Sequence, residues 1–315
     1  MAYRLKIDKS SKAGVRKIVH EQLDDAIRGL ESVGEERANQ VHDIRVRLKK
    51  LRAALRLVRS AIGGHYHVEN VCFRDAAHQL SQQRDVQAAQ EVLAMLADRA
   101  RREGVDAAAL ETLESCRRRL DEEQQALAEQ ATSETWLRLA GMLRAAAERV
   151  DAWTNEIRDF ETIAEGLENS YRRGRRAMQC ALERPTPETL HEWRKQAKYH
   201  RYQVNLLEEA WPEAMKARGK SLKRLSDLLG DDHDLVVLRE KLQSVAAETA
   251  ADVALAECLE LVDRRRGEIL DELKPLGRWL YAEKPKQLRG RIASYWRIAR
   301  SETNRARSRE RSEVP

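Results

Sequence analysis

His42, Arg45, Lys49 and Arg52 are spaced i, i+3, i+7 and i+10, and His191, Arg194, Lys198 and Arg201 repeat that spacing. At about 100° per helical residue each set occupies an arc of about 80°, so each presents one cationic face. Arg56 falls within the first arc. A guanidinium fork takes phosphate oxygens two at a time, an ammonium acts as a point cation, and a protonated histidine donates a hydrogen bond to an anion. None of these residues is a nucleophile with a base set beside it. The chemistry expected is the binding of a polyanion.

A basic helix face is more often a solvated surface, its cations paired with Glu or Asp one turn away. Here the acids are missing from both arcs, and between Arg45 and Arg59 there is no Asp or Glu. Like charge left uncompensated costs stability unless an anion relieves it. The sets also stand in one register, 149 residues apart, which pairs His42 with His191, Lys49 with Lys198, Leu57 with Leu206, Leu80 with Leu229 and Asp85 with Asp234. One gap-free register over roughly 45 residues points to an internal duplication. Two matching acid-free faces favour the ligand over the solvated surface.

Further cations flank these faces. Lys50, Arg74 and Arg84 belong to the first half; Arg172, Arg175 and Arg176 cluster beside Tyr171; Lys216, Lys220, Lys223 and His233 follow in the second half. All join the candidate set. Asp85 and Asp234 are expected to cap the helices that follow them.

The elements that must carry these residues are helices. The apolar pattern repeats at three and four residues almost throughout, giving expected helices near 11-33, 36-62, 68-84, 86-103, 107-130 and 134-150, then 157-184, 187-210, 213-229, 234-248, 251-273 and 285-303. Thr132 and Ser133 can cap one of them. Gly63-Gly64 can end another, and Pro185-Thr186-Pro187 separates two more. With 5% aromatic residues and two Phe, strands would lack their preferred residues. The 315 residues carry 58 Lys+Arg against 52 Asp+Glu, a net +6, so where the cations converge matters more than their sum.

The four cysteines, Cys72, Cys116, Cys180 and Cys258, form no C-x-x-C pair and read as reduced thiols of a cytosolic protein. The first residues lack the apolar run of a signal peptide, and no run of about 18 apolar residues occurs, so neither export nor membrane insertion is expected. The end of the chain, 304-315, is rich in Arg, Ser and Glu and is expected to be disordered.

Taken together, His42-x-x-Arg45-x-x-x-Lys49-Lys50-x-Arg52, its echo His191-x-x-Arg194-x-x-x-Lys198-x-x-Arg201-Tyr202, the segments ending in Arg84-Asp85 and His233-Asp234, and Leu280-Tyr281-Ala282-Glu283-Lys284-Pro285 with Tyr295-Trp296 resemble the CHAD family, the conserved-histidine α-helical domains. The resemblance spans 3-303. It implies an all-α domain of two antiparallel four-helix-type bundles, 3-150 and 151-303, related by a pseudo-twofold axis. It further implies that their basic residues line a central groove or pore holding inorganic polyphosphate, and association with bacterial polyphosphate granules in the cytoplasm. No enzymatic activity, cofactor or metal is expected, and the alternating acidic and basic strands of a triphosphate hydrolase are missing from the sequence.

Two rivals remain in view. His42-Asp43 and Asp231-Asp232-His233-Asp234 offer the residue types of a metal-dependent phosphohydrolase. Consecutive helical residues diverge by about 100°, however, and an ion would enter among Arg and Lys. A nucleic-acid or protein-binding module is the other rival. It lacks a β platform or helix-turn-helix spacing, and nucleic acid is expected only as a weak competitor.

Overall fold

The computed structural model describes residues 3–32, 37–130, 133–249 and 252–312; the side chains of 37–38, 82–84, 128–130, 246–249, 252 and 310–312 lie outside that description. Among the described residues the regular structure is helical throughout: α1 (Ser11–Glu31), α2 (Arg37–Leu57), α3 (Arg59–Ile62), α4 (His65–Gln79), α5 (Ser81–Glu103), α6 (Ala107–Gln130), α7 (Ser133–Thr154), α8 (Phe160–Glu183), α9 (Pro187–Leu206), α10 (Pro212–Thr249), α11 (Asp252–Leu280) and α12 (Pro285–Ser312). A 3-10 turn at Glu208–Ala210 precedes α10.

Local chemistry explains several boundaries. Ser10 accepts a hydrogen bond from the Ala13 amide to start α1, and Asp159 does the same for α8 with the Thr162 amide. Thr186 and Thr189 form a reciprocal capping box at α9, whose first residue is Pro187, where a missing N–H costs nothing. Thr132 lies outside the described residues.

Packing follows the apolar stripes. Helices α1, α2, α4 and α7 pack on one another, α9 packs on α8 and α10, α12 packs on α8, and the buried side chains of all of them form one continuous core. The two sequence halves meet in two places: α2 packs on α8 and α9, and the α5–α6 hairpin packs on α10 and α11. At the first of these the chains nearly touch, since a Cβ added to Gly166 would lie 2.0 Å from the Leu57 carbonyl oxygen. The N-terminal segment crosses between halves too. Leu5 is fully buried and its amide donates to Leu206 O at 2.7 Å, while the Tyr3 hydroxyl donates to Lys50 O at 2.8 Å. Among the described residues no helix is long and apolar enough to cross a membrane.

Three expectations from sequence are corrected. The break expected between 229 and 234 does not occur, and α10 runs unbroken through Gly230, Asp231 and Asp232. Asp85 and Asp234 therefore cap nothing: each lies inside a helix, α5 and α10 respectively. The polar tail, expected to be disordered from 304, continues α12 as helix to Ser312, with Arg307 donating to Asp8 at 2.5 Å. Arg, Glu and Ala are good helix formers, and one end of this segment is already nucleated.

Candidate anion-binding site

The packing of α2 on α9 sets the two basic faces beside each other. Lys198 marks their meeting. Burial first, then the charges of Arg194, Lys49 and Arg201, pull its ammonium down to about 6 against the opposing effect of Asp234. Lys49 comes from the first half and Lys198 from the register-related position of the second. Cations from both halves thus act on one group.

Around this point α10 faces α9. The His191 and His233 rings are tilted, with centroids 5.0 Å apart. Burial, followed by Arg194, His191 and Lys198, pulls His233 down to about 4, and burial with Arg194, Lys195 and Lys198 lowers His191 despite Glu192. Arg194 stands against the α10 backbone, where a Cβ on Gly230 would lie 3.8 Å from its Nε. Each neighbour disfavours the charged form of the next, as like charges confined at low dielectric do.

The α2 face is arranged differently. Arg45 donates from Nη1 to Leu80 O at 2.8 Å, at the junction of α4 and α5, and its Nη2 lies 3.8 Å from Asp85. Arg52 and Arg56 both donate to Asn70 Oδ1, at 3.3 and 3.1 Å. The Arg56 guanidinium sits 3.7 Å from the ring centroid of Tyr199, a cation–π contact across the α2–α9 packing. Neither Asn70 nor Tyr199 was singled out by sequence. Asn70 is distant in the chain, and an aromatic residue on a helix is more often core.

The other candidates divide. Arg201 approaches Asp227 at 3.9 Å, and Lys223 donates to the same carboxylate at 2.6 Å, so Lys223 stands at the rim of the α9 face. Arg176 lines a cavity together with Arg56. Arg74 bonds Asp75, whose carboxylate also feels Arg52. Lys50 turns toward the Tyr3 ring, 5.3 Å from its centroid, and burial, then Arg47, lowers its ammonium. Arg172 is held by Glu168 and Asn169, Lys216 lies 3.8 Å from Glu208, and the charge of Arg175 bears on the buried Tyr171. His42 and Lys220 are exposed. The Arg84 side chain lies outside the described residues.

The Asp231–Asp234 segment does not assemble as ligands. Asp232 is buried and accepts a hydrogen bond from Arg266 Nε of α11 at 2.8 Å. Among the described residues no three His, Cys, Asp or Glu side chains converge as a metal site.

Comparison with known proteins follows this geometry. A crystal structure of the CHAD domain from the plant Ricinus communis superimposes with a TM-score of 0.64 at 18% identity, covering 88% of this chain and 96% of that one. PptA from Streptomyces chartreusis aligns with a TM-score of 0.49 at 15% identity, over 80% of this chain and 100% of that one. No curated protein sequence matches the chain. The CHAD domain profile matches residues 17–243, which is most of the length, and the helices carrying both His-Arg-Lys-Arg sets lie inside that span. The chain belongs to the CHAD domain family.

Proposed function

We propose that this protein binds inorganic polyphosphate without turning it over, and that it does so in the bacterial cytoplasm in association with polyphosphate granules. The observation that carries the reading is the Lys198 cluster, where Lys49 from one half and Arg194 and Arg201 from the other act on a half-buried ammonium. Such a cluster is electrostatically unfavourable alone and becomes favourable when an anion neutralises it. Polyphosphate fits because it offers an unbroken run of oxygens to guanidinium and ammonium groups and requires no apolar contact.

Single-stranded nucleic acid fits less well, because it gains much of its affinity by stacking bases on open aromatic rings. Tyr199 is buried and its ring already carries Arg56. The test is a binding isotherm with polyphosphate of defined length across a salt series, with released phosphate monitored. The logarithm of affinity should fall linearly with the logarithm of salt concentration, with a slope of roughly 0.7 per phosphate contact, as for a single strand. No phosphate should appear. Equal affinity for triphosphate and a long chain would refute an extended site.

A further inference from the structure

Beyond Arg56 the α2 face runs into a solvent-open cavity of about 590 Å³, walled by the end of α2, α3, α4, α8 and the start of α9. Five cations line it, Arg56, Arg59, Arg173, Arg176 and Lys195, against two acids, Glu188 and Glu192. The acids are engaged: Glu192 holds Lys195 and accepts from Gln196 at 2.7 Å, and a hydrogen bond from Thr186 lowers Glu188. Among the described residues no carboxylate lies within ion-pair distance of Arg59, Arg173 or Arg176, and Arg59 rests 4.6 Å from the Tyr66 ring centroid. The cavity joins both basic faces. Arg56 is the last residue of the α2 arc, and Lys195 acts on His191 of the α9 arc.

The register 149 residues away does not repeat these cations. Arg59, Arg173, Arg176 and Lys195 correspond to Glu208, Asp24, Ile27 and Val46. Glu208, moreover, is already paired with Arg4 at 3.0 Å.

We infer that this cavity is a second phosphate subsite, which takes the stretch of polyanion that leaves the Lys198 cluster, so that the bound chain departs on one side of the protein only. The inference rests on the polyphosphate reading above. A track that carries extra cations at one end alone gives the bound polymer a fixed exit.

Cys180 provides a reporter, because it is exposed and lines the cavity. Burial pushes the thiols of Cys72, Cys116 and Cys258 up to about 11, so a neutral maleimide reaches Cys180 first. Long-chain polyphosphate should remove most of the Cys180 reactivity of the full chain. Arg59→Gln with Arg173→Gln should reduce the salt slope of binding by about 1.4, two contacts at roughly 0.7 each. Both residues are exposed, so circular dichroism should be unchanged. If wild-type protein binds the polymer while Cys180 reacts at its free rate and the double variant keeps the full slope, the subsite is refuted and the central reading stands. If wild-type protein does not bind polyphosphate at all, the central reading fails and the subsite with it.

Discussion

Arg45 and Arg194 stand 149 residues apart in one register, and each points at the middle of the next layer of helix. What they meet differs. In the first half the helix is broken between α4 and α5, and the carbonyl of Leu80 at that break accepts Arg45 at 2.8 Å, with Asp85 close by. In the second half α10 passes the same station unbroken, and Arg194 lies against Gly230 among Lys198, His191 and His233, all of them pushed toward their neutral forms. The α2 arginines are anchored on Leu80, Asp85 and Asn70, whereas on α9 the burial and mutual crowding of cations outweigh the nearby Asp227 and Asp234. An anion therefore has more to relieve on α9. The two faces share a motif but should not share the binding energy equally.

The sharpest way to break this comparison is charge reversal on α9. Lys198→Glu with Arg194→Glu should weaken polyphosphate binding by at least about a hundredfold, since hydrogen bonds to charged groups contribute ~1.5–3 kcal/mol each. Filter binding would show it. Next in size is Arg45→Gln, which should weaken binding about tenfold and also destabilise the fold by ~1–3 kcal/mol through loss of the charged hydrogen bond to Leu80 O. A melting temperature equal to wild type would show that Arg45 is not anchored there.

Lys198→Met tests the crowding itself. The ammonium titrates near 6 in the folded chain and at 10.5 ordinarily, so between those values the unfolded state holds more protons and stability rises with pH. The substitution should raise the melting temperature of the free protein most below pH 6, with the advantage disappearing above 10.5, and it should weaken polyphosphate binding. By the same sign, binding near pH 7.5 should take up protons and tighten as pH falls toward 6. Calorimetry in two buffers of different ionisation enthalpy measures the uptake. A pH-independent affinity would contradict the description of α9.

The smallest effect is expected at Gly230→Ala. A glycine inside a helix costs about 1 kcal/mol relative to alanine, and the added Cβ would make only ordinary contact, 3.8 Å from Arg194. Chemical denaturation should show the gain with binding unchanged. A fall in affinity would mean that the glycine leaves room for the ligand.

Sequence made much of this legible, for reasons that can be named. The cationic arcs follow from helical spacing alone, and the start of α9 follows from Thr186 and Pro187, whose capping is local. α10 is not legible in the sequence because Gly230, Asp231 and Asp232 are turn residues in most contexts. Asp232 instead occupies the buried stripe of α10, where Leu229 and Leu235 flank it, and its partner Arg266 is on another helix. No local signal reveals such a pair. The same holds for the stacking of Arg56 on Tyr199, and for Arg172 and Lys216, whose acidic partners remove them from the shared cluster.

The crossing of the N-terminal segment affects how the chain is made. Leu5, fully buried, has its amide bonded to Leu206 O, and the Ile7 amide bonds Glu209 at 3.1 Å. During synthesis residues 5 and 7 leave the ribosome some 200 residues ahead of their partners Leu206 and Glu209, and α1 to α8 emerge between the two ends of that contact. Nascent chains of this protein should therefore remain open to proteases at residues 5–7 until α9 and the turn after it have emerged, and close there in a single late event.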